Sequence, residues 1–222
     1  MKKYLLGTIS FTLICAVAFI NITAAAVKSP SFEVYVPQDI LVEPQLEYYV
    51  EEVENLNYLM VDELNSTDII PATITFSQYV SFSELAEYIR AYGVNLQQVQ
   101  LRAFLADGTK VTMATLVSEG LVYTEELMYN EAIENDFELA GITDIYAYIP
   151  VNQIKSIEAN NLTYLVDATY SSKALQVVED CTEVARASSF QRALMNASEE
   201  TDSQFQKSLT WELEELGLLV HD

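Results

Sequence analysis

Apolar residues change their spacing several times along this chain, and each change marks an element. Between Pro44 and Leu64, the residues Leu46, Tyr49, Val50, Val53, Leu56, Met60 and Leu64 recur every three or four positions, with Glu47, Glu51, Glu52 and Glu54 between them. That spacing predicts an amphipathic, acidic helix, and Pro44 suits its first turn. Further on the period drops to two: Ala72, Ile74 and Phe76 alternate with Thr73 and Thr75, predicting a half-buried strand. Ser81-Phe82-Ser83-Glu84 then reads as a capping box, in which the serine oxygen accepts a helix N–H and the glutamate reaches back to the serine backbone. Phe82, Leu85, Ala86 and Ile89 form the apolar face of the helix it starts, and Gly93 stands where a left-handed cap would end it. A second strand runs across Leu96, Val99 and Leu101 to Phe104, Asp107-Gly108 offers hairpin turn chemistry, and Lys110 to Leu116 returns as a strand.

Residues 118–140 predict an inserted helix, with Leu127, Met128, Ala132, Ile133 and Phe137 apolar, Glu125, Glu126, Glu131, Glu134 and Glu138 exposed, and Gly141 as its stop. From Ile142 to Ile149 the alternation returns: Ile145, Ala147 and Ile149 point one way, Tyr146 and Tyr148 the other. Pro150 leads a short helix with Ile154 and Ile157 inward, Asn160-Asn161 stops it, and Leu162 to Ala168 is a fourth main strand. Without the insertion the order is βαββαβ. The expected fold class is therefore α+β, a ferredoxin-like split sheet covered on one face by two helices. Upstream, Phe32-Glu33-Val34-Tyr35-Val36 lies between Pro30 and Pro37 and suggests an edge strand in an extended lead-in. Downstream, Lys173 to Asn196 and Gln204 to Leu216 predict two more helices, with Gly217 ending the last. The expected organisation is a leader at 1–26, a lead-in and acidic helix at 27–69, the α+β domain at 70–170 and C-terminal helices at 171–222.

The run from Ile142 through Tyr146, Tyr148, Pro150 and Ile154 to Ile157, followed by Leu162-Thr163-Tyr164-Leu165-Val166-Asp167, resembles the second half of the subtilisin-propeptide (peptidase inhibitor) family. That half consists of an apolar strand, a proline-led helix with an inward aliphatic pair, and a strand ending in valine and an acid. Ala72 to Phe76 and the helix from Ser81 to Gly93 are similar to the first half. The resemblance covers roughly 72–105 and 142–168, and most of its matching positions are apolar residues that determine a fold. Members of the family act as intramolecular chaperones for a protease and inhibit it by laying their C-terminal tail into the active-site cleft. The resemblance implies a binding module whose partner is another protein, an extracellular protease among the candidates. Two departures bear on that implication: the chain continues past Tyr170 to Asp222, so the tail is not free unless it is cut, and the insertion at 118–140 interrupts the central connection.

Charge and the leader narrow the remaining classes. The 222 residues carry 33 acids against 11 bases, a net charge of −22, and such a field repels nucleic acid and anionic membrane surfaces. Met1-Lys2-Lys3-Tyr4, an apolar core from Leu13 to Ile20 and Ala24-Ala25-Ala26 have the layout of a bacterial-type secretory signal, with cleavage expected after Ala26. The alternative is a signal anchor over residues 5–27, and membrane contact is expected only in that form. Either reading places the remainder outside the cytoplasm. Cleavage leaves Cys181 as the sole cysteine and rules out an intrachain disulfide in the exported part.

Enzymatic chemistry finds little material. His221 is the only histidine, so a Ser-His-Asp, Cys-His or histidine-zinc arrangement would have to use the penultimate residue. No glycine-rich phosphate loop occurs, and Glu199-Glu200-Thr201-Asp202 lacks the alternation and glycine of a calcium loop. The expectation is a non-enzymatic, exported protein-binding module with no cofactor and no metal, with Tyr146 and Tyr148 as the candidate partner-binding residues on their shared sheet face. The alternatives are a secreted hydrolase using two carboxylates and a membrane-anchored structural or assembly factor.

Overall fold

A computed structural model describes residues 30–34, 41–169 and 208–219. The leader at 1–26, the helix expected over 173–196, Tyr35, Val36, Cys181, the acids Glu199 to Asp202 and His221 lie outside the described residues.

Strand β1 (Ser31–Val34) precedes helix α1 (Glu43–Glu63), whose start carries Pro44 and whose buried side includes Leu46, Tyr49, Val53, Leu56 and Met60. Then follow β2 (Ile69–Val80), α2 (Phe82–Tyr92), β3 (Asn95–Phe104) and β4 (Lys110–Leu116). After them come α3 (Leu121–Glu134), β5 (Glu138–Pro150), a 3-10 turn (Val151–Gln153), α4 (Ile154–Glu158), β6 (Thr163–Asp167) and α5 (Thr210–Glu215). The strands form one six-stranded sheet in the order β1-β4-β3-β5-β2-β6. Every neighbouring pair is antiparallel.

Local signals explain most of these boundaries. Ser81 Oγ accepts the Glu84 N–H at 3.2 Å and Glu84 Oε2 accepts the Ser81 N–H at 2.8 Å, so the capping box closes in both directions. Ser81 Oγ also donates to Glu84 Oε2 at 2.6 Å, and this bond, followed by the one from the Ser81 N–H, holds the Glu84 carboxyl below its ordinary value. At the other end Gly93 has φ 65° and ψ 32°, the left-handed cap. Asp107 Oδ1 accepts the Thr109 N–H at 2.9 Å and tightens the β3–β4 turn.

The main core lies on one face of the sheet. Ile74 and Phe76 of β2, Val99 and Leu101 of β3, Met113 of β4 and Ile145 and Ile149 of β5 meet Phe82, Leu85 and Tyr88 of α2, Met128 of α3, and Ile154 and Ile157 of α4. Full burial of each large aliphatic or aromatic side chain contributes roughly 1.5–3 kcal/mol. Helix α1 runs beside β6, where Asn57 Nδ2 donates to the Val166 carbonyl at 2.6 Å. That bond occupies a carbonyl on an edge strand which would otherwise be open to another chain.

Three boundaries differ from the sequence reading. The inserted helix ends at Glu134, and residues from Glu138 pair with β3, so Gly141 lies inside a strand. Its φ of 148° and the register shift between Thr75 and Val80 in the β2–β5 ladder identify it as the point where two strands approach too closely for a side chain. Pro150 closes β5 and caps the 3-10 turn with φ −69° and ψ 137°, because extended backbone accepts the proline ring as readily as a helical first turn does. The last helix starts at Thr210, since the Leu209 N–H is directed to Thr75 Oγ1 of the sheet at 3.5 Å.

A Cβ built on Gly141 would stand 3.0 Å from Tyr79 Cβ and 3.2 Å from the Val80 carbonyl oxygen, whereas one on Gly93 meets nothing within 4 Å. Gly93→Ala is therefore expected to cost about 1 kcal/mol, from backbone strain alone. Gly141→Ala is expected to cost about 2–3 kcal/mol, because crowding adds to strain. Urea unfolding of the two variants checks the ranking; equal losses would mean that β2 yields at no cost.

Candidate functional site

The opposite face of the sheet is polar, and register alone puts its residues together. Thr75 faces Asp144 across the β2–β5 ladder, and Thr73 faces Tyr146. Gln100 and Gln98 of β3 stand opposite Asp144 and Tyr146, Arg102 opposite Thr112 of β4, and Asp167 of β6 opposite Thr73.

Residues 208–219 cover the middle of this face. Arg102 is 1% exposed, and its Nε donates to Glu214 Oε1 at 2.6 Å while Nη1 donates to Thr112 Oγ1 at 2.6 Å. The Trp211 ring lies over the guanidinium, 3.6 Å from Cζ to the ring centroid. Tyr79 OH donates to Glu214 Oε1 at 3.2 Å, and Lys110 Nζ lies 3.2 Å from Glu214 Oε2 and 3.1 Å from Glu215 Oε1. Burial and the Glu214 carboxylate hold the Tyr79 phenol above its ordinary value. Beside this cluster, Asp144 is 0% exposed; its Oδ2 accepts from Thr143 Oγ1 at 2.9 Å and from Thr210 Oγ1 at 3.0 Å, while Oδ1 is buried without a hydrogen-bond partner. Burial raises the Asp144 carboxyl from 3.8 to about 6. At the β6 end, Tyr49 OH donates to Asp167 Oδ2, and burial likewise raises the Asp167 carboxyl.

Tyr146 and Tyr148 share this face, as expected, and both are half-buried. The Tyr146 phenol accepts from Gln100 Nε2 at 2.6 Å, and burial, then the nearby Asp144 charge, raises it above its ordinary value. Tyr148 stands opposite Pro71 and Asn95, away from the Arg102 cluster.

Sequence reasoning passed over Arg102, Asp144, Thr210 and Glu214. A signal was present: Arg102 interrupts the run Leu101 to Phe104, and Asp144 sits between Thr143 and Ile145 in an otherwise apolar strand. A charge in the middle of a buried strand requires a partner. What the arrangement does chemically is bind a carboxylate-bearing helix through one guanidinium, one ammonium and several hydroxyls. Among the described residues no three His, Cys, Asp or Glu come together to hold a metal ion, and no helix is long and apolar enough to cross a membrane. The chain matches no protein-family model, no curated protein and no solved structure.

Proposed function

We propose that this chain is an exported, non-enzymatic protein-binding module whose central unit is a ferredoxin-like split βαββαβ fold of the kind used by protease propeptides. The observation that carries the reading is the strand order β3-β5-β2-β6, with α2 and α4 contributing Leu85 and Ile157 to one core. Strands β2 and β3 are joined through α2 and flank β5, and strands β5 and β6 are joined through α4 and flank β2. That interleaving supports the reading as a split pair of βαβ units. Helix α3 and the strands β4 and β1 are additions outside it. Tyr146 and Tyr148, half-buried on the polar face, offer aromatic contact area of the type enriched at protein interfaces.

Affinity capture with residues 27–222 from the envelope and medium of the producing cell, followed by binding and protease-inhibition assays on purified hits, tests the reading. The expected result is a saturable complex with one extracytoplasmic protein, weakened by Tyr146→Ala or Tyr148→Ala. Inhibition of a captured subtilisin-like protease would extend the resemblance to mechanism. Absence of any saturable partner would overturn the binding reading.

A further inference from the structure

The two faces of the sheet are sealed by different chemistry. On the first, α2, α3 and α4 set Leu85, Met128 and Ile157 against the aliphatic residues of the strands, so lifting a helix would expose apolar surface to water. On the second, residues 208–219 lie over Arg102, Asp144, Thr75 and Thr112. Water solvates those groups well, and lifting the segment returns two charges to it. The apolar share of this seal is the Trp211 ring over Arg102 and, beside α1 and β6, Leu209, Leu213 and Leu219 against Leu46, Val53 and Leu165.

Helix α5 has six residues. An isolated helix is marginal below roughly 12–15 residues, so its helical state depends on being docked. The segment carries Glu212, Glu214 and Glu215 and no basic residue, while Arg102 and Lys110 beneath it belong to the 11 bases of a chain with 33 acids. On the two sides of residues 170–207 in sequence, Asp167 pairs with Thr73 of β2 and the Leu209 N–H reaches Thr75 Oγ1 of the same strand. Among the described residues, the segment is held by its contacts with the sheet and with α1.

We propose that residues 208–219 are an intramolecular ligand, and that the face around Arg102 and Lys110 is a docking site for an acidic helical segment, filled by the chain's own segment and open to the same segment of a second copy when its own is displaced. The recognised pattern is written in the contacts. One carboxylate meets Arg102, the next meets Lys110, a hydroxyl four residues before the first meets Asp144, and the leucine between them enters the pocket of Leu46 and Val53. The inference does not depend on the propeptide resemblance.

Hydrogen exchange on the unaltered full chain is the first test. Amides of α5 are expected to exchange at least a hundredfold faster than those of Ile145 to Ile149 in β5, through an opening that leaves the sheet intact. Equal protection would overturn the proposal, because the segment would then open only with the whole fold. The second test titrates a fluorescent peptide of residues 208–219 with the full chain and with the full chain carrying Thr210→Val and Glu214→Gln. Binding to the variant is expected to be at least tenfold tighter, since the unaltered tethered segment competes at an effective concentration of the order of millimolar. The peptide carrying Glu214→Gln is expected to lose at least tenfold. A peptide that fails to bind a variant whose own segment exchanges freely would also overturn the proposal. Both substitutions lie in the segment, so the sheet that forms the site is untouched.

Discussion

Truncation of Glu214 to alanine is expected to release residues 208–219 from the sheet and to red-shift the emission of Trp211, the single tryptophan of the chain. Glu214 supplies the only carboxylate within salt-bridge distance of Arg102 among the described residues, and both side chains are almost fully buried, at 2% and 1% exposure. Breaking a buried pair by removing one member costs roughly 3–5 kcal/mol, because the other charge is left without compensation. Undocking offers a way out, since a lifted segment returns the guanidinium to water. The loss in urea unfolding will therefore be that cost or the free energy of docking, whichever is smaller. The double variant Arg102→Met, Glu214→Met is expected to lie within about 1 kcal/mol of the unaltered chain, as apolar replacements of buried pairs commonly do. Glu215→Ala, at the rim and 42% exposed on its side chain, should change stability by less than about 1 kcal/mol. If the losses from Arg102→Met and Glu214→Met simply add in the double variant, the pair is uncoupled and something else holds the segment down.

Asp144→Asn is expected to raise stability at pH 7.5 by about 2 kcal/mol and to leave it nearly unchanged at pH 4. The folded-state value near 6 lies above the ordinary 3.8, so between those limits the folded chain keeps a proton that the unfolded chain has released. Stability attributable to this group is fully present below 3.8, falls as pH rises through the window to about 6, and is flat beyond it. At about 1.4 kcal/mol per pH unit the ionised carboxyl costs the fold roughly 3 kcal/mol at neutral pH. Asparagine removes that charge and can still accept from Thr143 and Thr210, but its amide takes the place of the unpartnered Oδ1 and gives back about 1 kcal/mol. Asp167 is shifted upward for the same reason, so the difference between variant and parent, rather than either pH profile alone, isolates Asp144. Chemical denaturation from pH 4 to 8 reads it, and a variant whose advantage does not grow with pH would show that the Asp144 carboxyl is not raised above its ordinary value in the folded chain.

Much of this architecture could be read from short stretches of chain. The box at Ser81 and Glu84, the cap at Gly93, the Asp107-Gly108 turn and the helical spacing of Leu46, Val53 and Met60 each depend on residues a few positions apart, whose backbone geometry and side-chain bonds are local. Gly141 shows where that reasoning fails. A glycine after a run of helix formers suits a helix stop, yet what requires it is the approach of Tyr79 and Val80 from another strand, which no local pattern encodes. The same holds for the candidate site. Tyr146 and Tyr148 were legible as partners on one face because strand alternation is local, but the identity of what lies over that face was not.

Alternation and capping chemistry thus specify from the amino acids alone where strands and helices form, which residues turn inward, and the −22 charge that every partner must meet. The union of Arg102 with Glu214 across 112 positions, and of Asp144 with Thr210 across 66, is decided only by the tertiary fold. Charges buried in mid-strand have many possible partners in a chain with 33 acids, and only the strand order and the return of the C-terminal segment select among them. Desolvation then acts on whatever has been brought together, and it is desolvation that makes Asp144 a weak acid and Arg102 an anchor.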